Sequence, residues 1–600
     1  MMIKERVEKL RALMAQKNID AYVIPTDDFH GSEDVGEYFR CRAFISGFTG
    51  SAGTVIVTKD KAGLWTDGRY FLQGAAQLAG SGIDLYKMGE PGVLTIEEFL
   101  LEELKSGSVI GFDGRTMVYS AASRLEKLLA EKDIKIAYEE DLVGMIWDDR
   151  PPLSKNPAWL LSVEYAGASR EERIALIRNE MKNKSVDVFV LTSLDDIAWL
   201  LNFRGSDVNC NTVVLAYAVI TAADVILFTD ESKFASDAKI ELTAAGVTFR
   251  EYDSVYEYVK TVKGRVFADP NKANYKLVKS ILAADADSVV LGTNLTLLPK
   301  AVKNEVEIDN MRKTHIKDGA AITKLMYFLK HWEEKDKLTE MDIVDKIEEL
   351  RGEQEGYIKP SFDTIAGYAE NGAIVHYGVT EESNKTLKNK GLILIDTGGT
   401  YMGGTTDITR TIALGPLTDT EKKHYTAVLK GNIDLGSTQF PRGTRGLNLD
   451  AIARRPIWEI GCDYNHGTGH GIGYMLNVHE GPNSIRKTVM DSITESAELE
   501  PGMITSNEPG IYIENSHGIR LETLVLCCEK LVCGGISEKP MLYFETLTLV
   551  PFDLDAVIPE MLTPKQKEVL NEYHTRVYDT VAPLLTEEEA EWLKHATRSI

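Results

Sequence analysis

The chain has 600 residues, 44% apolar and 26% charged, with a formal charge of −24. That composition is globular, and the length exceeds the roughly 250 to 300 residues that one hydrophobic core serves, so several domains are expected. Nucleic acid is excluded as a partner by the acidic balance, since such affinity rests on Lys and Arg displacing counterions. Membrane is excluded because no apolar run approaches the ~18 to 20 residues that cross a bilayer.

The opening MMIKERVEKLRALMAQ spaces charges between apolar residues at helical intervals and lacks the apolar core of a secretory signal. Cys41, Cys210, Cys462, Cys527, Cys528 and Cys533 form neither a CxxC pair nor a dense disulfide framework. A cytoplasmic location is expected.

An internal repeat organises the first half. Residues 6–28 align without a gap to residues 173–195, with Arg6, Arg11, Met14, Asp20 and Asp28 falling on Arg173, Arg178, Met181, Asp187 and Asp195. In each copy an amphipathic helix leads into a short apolar strand, Ala21 to Ile24 in the first. FTGS and LWTD in the first copy answer FRGS and LFTD in the second. Two related α/β domains are predicted, 1–155 and 156–302, divided where Pro151, Pro152 and Pro157 punctuate the chain. From Lys303 a long helical pattern opens a third domain, 303–545. Its strand-like runs LILID and TDITRTIAL, joined by GGTYMGGT, read as a hairpin, and MITSNEPGIYI with HGIRLETLVL reads as a second. Residues 546–600 hold two helical patterns, each opened by a Thr suited to an N-cap.

Asp396 and Asp407 lie on the arms of the first hairpin, and Glu508 and Glu522 repeat the arrangement on the second. Four carboxylates buried together repel one another unless cations join them. His470, in HGTGHG, stands between glycines that let the backbone approach an ion or substrate. Four oxygen donors and one imidazole form a hard set that favours manganese, and paired divalent metals can hold a bridging hydroxide at neutral pH and polarise a carbonyl.

FISGFTGSAGTVIVT, LWTDGRYFLQ, KNEVEIDNMRKTHIKDG, IDTGG, GTTDITRT, HGTGHGIGYMLNVHEGP, NEPGIY and GIRLE together resemble the pita-bread metallopeptidases, in particular the three-domain cytoplasmic Xaa-Pro aminopeptidases. The resemblance covers nearly the whole chain. It implies a mixed α/β and α+β multidomain fold with a pita-bread catalytic domain and a helical C-terminal segment. It implies metal ligation by Asp396, Asp407, His470, Glu508 and Glu522, with two divalent ions, taken as Mn2+. His376, His466 and His479 are implied to line the substrate site, Glu508 to shuttle protons, and Arg520 to support Glu522. The implied activity releases the first residue from peptides with proline second, by attack of a metal-bridging hydroxide, and the implied assembly is a homodimer through the C-terminal segment. A dipeptide-restricted prolidase and a peptide-binding pseudoenzyme on the same scaffold are the alternatives. Asp67 and Arg69 in TDGRY read as a strand-end turn with a local ion pair.

Overall fold

The computed structural model describes residues 2–284, 286–333, 337–488, 497–530 and 540–600, and Cys533 lies outside them. The chain forms two compact units, one of residues 1–162 and 168–296, the other of residues 163–167 and 297–600.

In the first unit the sequence repeat is a structural one. The helices Ile3–Gln16 and Arg170–Asn183 bury Val7, Leu10 and Met14 in one copy and Ile174, Ile177 and Met181, the aligned positions, in the other. Each helix delivers the chain to a strand, Ala21–Pro25 or Val188–Leu191, in the interior of a six-stranded sheet. The two sheets share one strand order and one pattern of directions: the early strand pairs antiparallel with Thr54–Thr58 or Tyr217–Thr221 on one side, and parallel with Val109–Gly111 or Arg265–Ala268 on the other. Arg69 donates to both oxygens of Asp67 at 2.8 Å, which is the local ion pair expected at this strand end.

The second unit begins with the helix Glu305–His331, capped by the Asn304 side chain accepting from Glu307 N. The strands Ile365–Tyr368, Leu392–Thr397 and Ile408–Ala413 form a sheet. Ile393, Ile395, Ile408 and Ile412 pack on Leu325 and Met326 of the long helix. Leu392 and Ala413 pack instead with Val428 and Leu429 of the helix Asp419–Gly436. Hydrophobic residues therefore cover the sheet on both faces, and Asp396 and Asp407 sit at its end.

Leu392–Thr397 and Ile408–Ala413 pair antiparallel, as the first hairpin requires. The intervening GGTYMGGT is more than a turn. Gly399–Tyr401 and Gly404–Thr405 fold back as a ribbon that also pairs with Tyr357–Pro360. Glycine is needed for this, since a Cβ on Gly398 would stand 2.1 Å from Thr406 O. The second hairpin is nested: Ile504–Asn507 pairs with Thr523–Lys530, and beyond them Gly510–Ile513 pairs with His517–Arg520. At the C-terminus, helices Pro564–Val581 and Glu587–Ala596 begin at Thr563 and Thr586, whose side chains cap Gln566 N and Glu589 N. Among the described residues no helix is long and apolar enough to cross a membrane, and the five described cysteines are free thiols.

Candidate metal centre

The strand registers bring the four carboxylates together. Asp396 ends one arm of the first hairpin opposite Thr409, and Asp407 precedes the other arm. Asn507 faces Thr523 where the outer ladder of the second hairpin ends, so Glu508 and Glu522 stand at the break between ladders. Glu522 N donates to Thr409 O at 3.1 Å, which joins the two hairpins, and Glu508 N donates to Thr468 O at 2.9 Å, which joins the HGTGHG segment.

His470 lies in the short strand Gly469–Gly471. Its Nδ1 stands 3.0 Å from Gly471 O, and its Nε2 faces the carboxylates, 3.4 Å from Asp407 and 3.7 Å from Glu508. Ligand atoms of Asp407, His470 and Glu522 all fall within 4.8 Å of one another. The flanking glycines serve a different purpose from the expected approach to an ion. A Cβ on Gly469 would meet Ser506 O at 1.9 Å and one on Gly471 would meet Glu480 O at 2.2 Å, so they permit neighbouring strand backbones to close on the histidine.

Burial pushes up the carboxyls of Asp396, Glu508 and Glu522. Arg520 draws all three back in part, His470 also draws Glu508 back, and neighbouring carboxylates push all three further. Glu508 reaches about 7. Asp396 Oδ1 and Glu522 Oε1 are buried and accept no hydrogen bond among the described residues. A buried carboxylate oxygen without a donor is costly unless a cation faces it. These orphaned oxygens, with the imidazole nitrogen of His470 directed at the same carboxylates, fit divalent metal ions.

Arg520 pairs with Asp396 at 2.5 Å and also supports Glu522, by its charge and through Thr409, whose hydroxyl accepts from Arg520 Nε and donates to Glu522 Oε2 at 2.8 Å. The long guanidinium side chain extends past Thr409 to the facing arm of the first hairpin.

The three histidines expected to line the substrate site are held differently. His479 packs edge-on against His470, with ring centroids 4.3 Å apart. His466 is within 3.7 Å of Glu508, but both ring nitrogens are engaged: Nδ1 with Gly467 O at 2.7 Å, and Nε2 with Tyr512 OH at 2.8 Å. Burial, reinforced by Arg520, holds its pKa at about 3. Its segment is fixed by the buried Arg454, which donates to Tyr464 O, His466 O and Asp450. His376 follows the turn Ala369–Ala373 and lies close enough to depress His466 further. That turn meets the strand His517–Arg520 backbone to backbone, where a Cβ on Gly518 would stand 1.6 Å from Gly372 O. Buried Glu340 anchors the same loop, accepting from Tyr368 N, Lys385 N, Asn371 and Tyr377 OH at 2.7 to 3.0 Å.

Sequence reasoning missed Tyr512 and Thr409. Tyr512 OH accepts from Arg520 Nη1 at 2.8 Å and donates to His466, linking that histidine through Arg520 to Asp396. Nothing in GIYI marks it. Thr409 was findable, because strand alternation puts residues 407 and 409 on one face.

This architecture and carboxylate cluster define a metallopeptidase of family M24, whose model matches residues 309–529. Models of the creatinase/prolidase N-terminal domain match residues 6–141 and 149–307, and the C-terminal region of peptidase M24 matches 540–600. The chain is 40% identical to a probable Xaa-Pro aminopeptidase P of Laccaria bicolor, over 98% of this chain and 92% of that protein. It is 37% identical to aminopeptidase P2 of Arabidopsis thaliana, over 100% and 89%. The X-prolyl aminopeptidase of Caenorhabditis elegans, described as a cytosolic enzyme with a di-nuclear active site, has a similar structure, with a TM-score of 0.93 and 33% identity over the whole of both chains. The chain belongs to the Xaa-Pro aminopeptidase P family.

Proposed function

We infer that the chain is a metal-dependent aminopeptidase that releases the first residue from peptides with proline second. The observation that carries the inference is the convergence of Asp407, His470 and Glu522, with Glu508 beside His470, Asp396 on the facing arm of the hairpin, and buried oxygens on Asp396 and Glu522 that accept no hydrogen bond among the described residues. These five residues are the ligands for two divalent ions, and their hard donor set favours Mn2+. When bound, the ions supply a water-derived nucleophile at neutral pH and positive charge for the developing oxyanion.

The chain's own residues do the rest. Glu508, 3.7 Å from His470 and within 3.7 Å of His466, is the group assigned to take and return a proton. His466 cannot act as an acid near neutrality, with a pKa of about 3 and both nitrogens engaged, so its part is to present a fixed neutral ring to the substrate. His376, close to His466, and His479, packed on His470, are the candidates for contact with the scissile carbonyl and the proline. An Xaa-Pro bond offers no N–H and a fixed backbone angle, so recognition rests on such side chains and not on an amide-gripping groove.

The domains are read as 1–155, 156–302, 303–545 and 546–600. Free thiols and the cytosolic description of the similar nematode enzyme support a cytoplasmic location. Assembly as a homodimer through residues 546–600 rests on the family resemblance. The test is hydrolysis of an Xaa-Pro-Xaa peptide before chelation, after it, and after Mn2+ is restored: activity should vanish and return, and activity that persists without metal would remove the reading.

A further inference from the structure

The metal-ligand hairpin is braced from behind by a buried ion pair. Asp318 lies in the long helix Glu305–His331, and Arg351 near the end of the helix Glu340–Gly352. Both side chains are fully buried. Arg351 donates to both oxygens of Asp318, at 2.8 and 3.3 Å. The remaining bonds reach the hairpin. Thr406 donates its hydroxyl to Asp318 at 2.7 Å and Tyr401 does so at 2.8 Å, while Arg351 Nη1 donates to Thr397 Oγ1 at 2.5 Å and Gly398 O at 3.0 Å. Thr397 directly follows Asp396, and Thr406 directly precedes Asp407. Burial alone would raise the Asp318 carboxyl, but Arg351, Thr406 and Tyr401 hold it below the usual range, so it stays charged.

A buried ion pair is weak as a source of stability, because desolvating two charges offsets their attraction, and apolar replacements of similar volume often serve as well. What this pair supplies is direction. Beyond the pair itself, Asp318 accepts from Thr406 and Tyr401, and Arg351 donates to Thr397 and Gly398, so both arms of the hairpin and the ribbon between them are tied to it. A slip of either arm would strand a buried polar group.

We propose that Asp318 and Arg351 are positioning residues for the metal centre, which set the separation of Asp396 and Asp407 by holding Thr397 and Thr406. The proposal rests on the metal-ligand reading above. Groups that orient metal ligands typically contribute about 10- to 100-fold in metal affinity. That range is the loss expected when the brace is removed.

The test is titration of the chelated full-length protein with Co2+, followed by its visible absorption bands and by calorimetry, alongside a thermal midpoint for each variant. Wild type should bind two Co2+, and Asp407→Asn should bind fewer. The double variant Asp318→Leu/Arg351→Met, which also leaves the buried Tyr401 hydroxyl without Asp318 and so should lower the thermal midpoint somewhat, should bind Co2+ about 10- to 100-fold more weakly, with altered bands. Should the double variant not fold, Thr406→Val carries the test: it should weaken binding with little change in midpoint, and Thr406→Ser, which restores the hydroxyl, should recover it. Wild-type affinity and bands in whichever of the double variant and Thr406→Val folds, or a fall in thermal midpoint alone, would overturn the positioning role while leaving the metal site standing. Failure of wild type itself to bind Co2+ would overturn the metal-ligand reading instead.

Discussion

Metal binding to this centre should release protons, and the number should fall as pH rises. Without metal, burial and the neighbouring carboxylates raise Glu508 from its ordinary 4.5 to about 7. At pH 6 Glu508 therefore holds about nine-tenths of a proton and at pH 8 about one-tenth, and a ligating carboxylate must give that proton up. Integrating this occupancy over the two pH units gives binding on the order of tenfold tighter at pH 8 than at pH 6 from Glu508 alone. Glu522, also pushed well up by burial and its acidic neighbours, acts in the same direction. The sign is fixed: raised carboxyl pKa values make protons compete with metal, so affinity rises with pH. Calorimetric titration of the chelated protein with Mn2+, repeated in buffers of different ionisation enthalpy, counts the protons and gives the affinity at each pH. Affinity independent of pH between 6 and 8, with no proton release, would refute the electrostatic description of the site.

The two adjacent histidines should fail differently. His470→Ala should lose metal along with activity, because Nε2 faces Asp407 and Glu508, whereas His479→Ala should retain both metals and lower kcat/KM by roughly 10² to 10⁴; metal analysis with steady-state kinetics separates them. Asp407→Asn should reduce bound metal and nearly abolish turnover while the exposed Glu591→Gln changes neither, and the same two measurements decide. Tyr512→Phe removes the hydroxyl between Arg520 and His466 and should lower kcat/KM by about 10-fold or more, the scale of losing a positioned hydrogen bond, with metal content unchanged; coupled loss of metal would show that Tyr512 acts on Asp396 and not on His466.

The duplicated sheets were legible because their determinants are local. An amphipathic helix followed by an apolar strand leaves a periodic trace, and the buried positions Val7, Leu10 and Met14 recur as Ile174, Ile177 and Met181. The ligand types were legible because four carboxylates on paired strands pose a charge problem visible before any coordinates. What supports them was hidden. Asp318 and Glu340 sit in helices whose acidic residues read as a solvated face, and only tertiary contacts show that both are fully buried. Arg520 could be placed near the site, but its partner depends on pairing between strands more than a hundred residues apart in sequence. The glycines beside His470 were correctly singled out for close approach, yet the approaching groups, Ser506 O and Glu480 O, belong to strands whose register no local pattern encodes. The ribbon inside the first hairpin escaped for the same reason, since its outer partner is the distant strand Tyr357–Pro360.

The central claim is that this five-ligand centre cleaves the bond before a penultimate proline and acts on peptides longer than two residues. The direct measurement is mass spectrometry of products from three matched substrates given to the Mn2+-loaded protein: an Xaa-Pro-Xaa peptide, the same peptide with alanine second, and the Xaa-Pro dipeptide. Loss of one N-terminal residue from the first, with far slower turnover of the alanine peptide, is the predicted result. Equal turnover of the alanine peptide, or hydrolysis confined to the dipeptide, would contradict it.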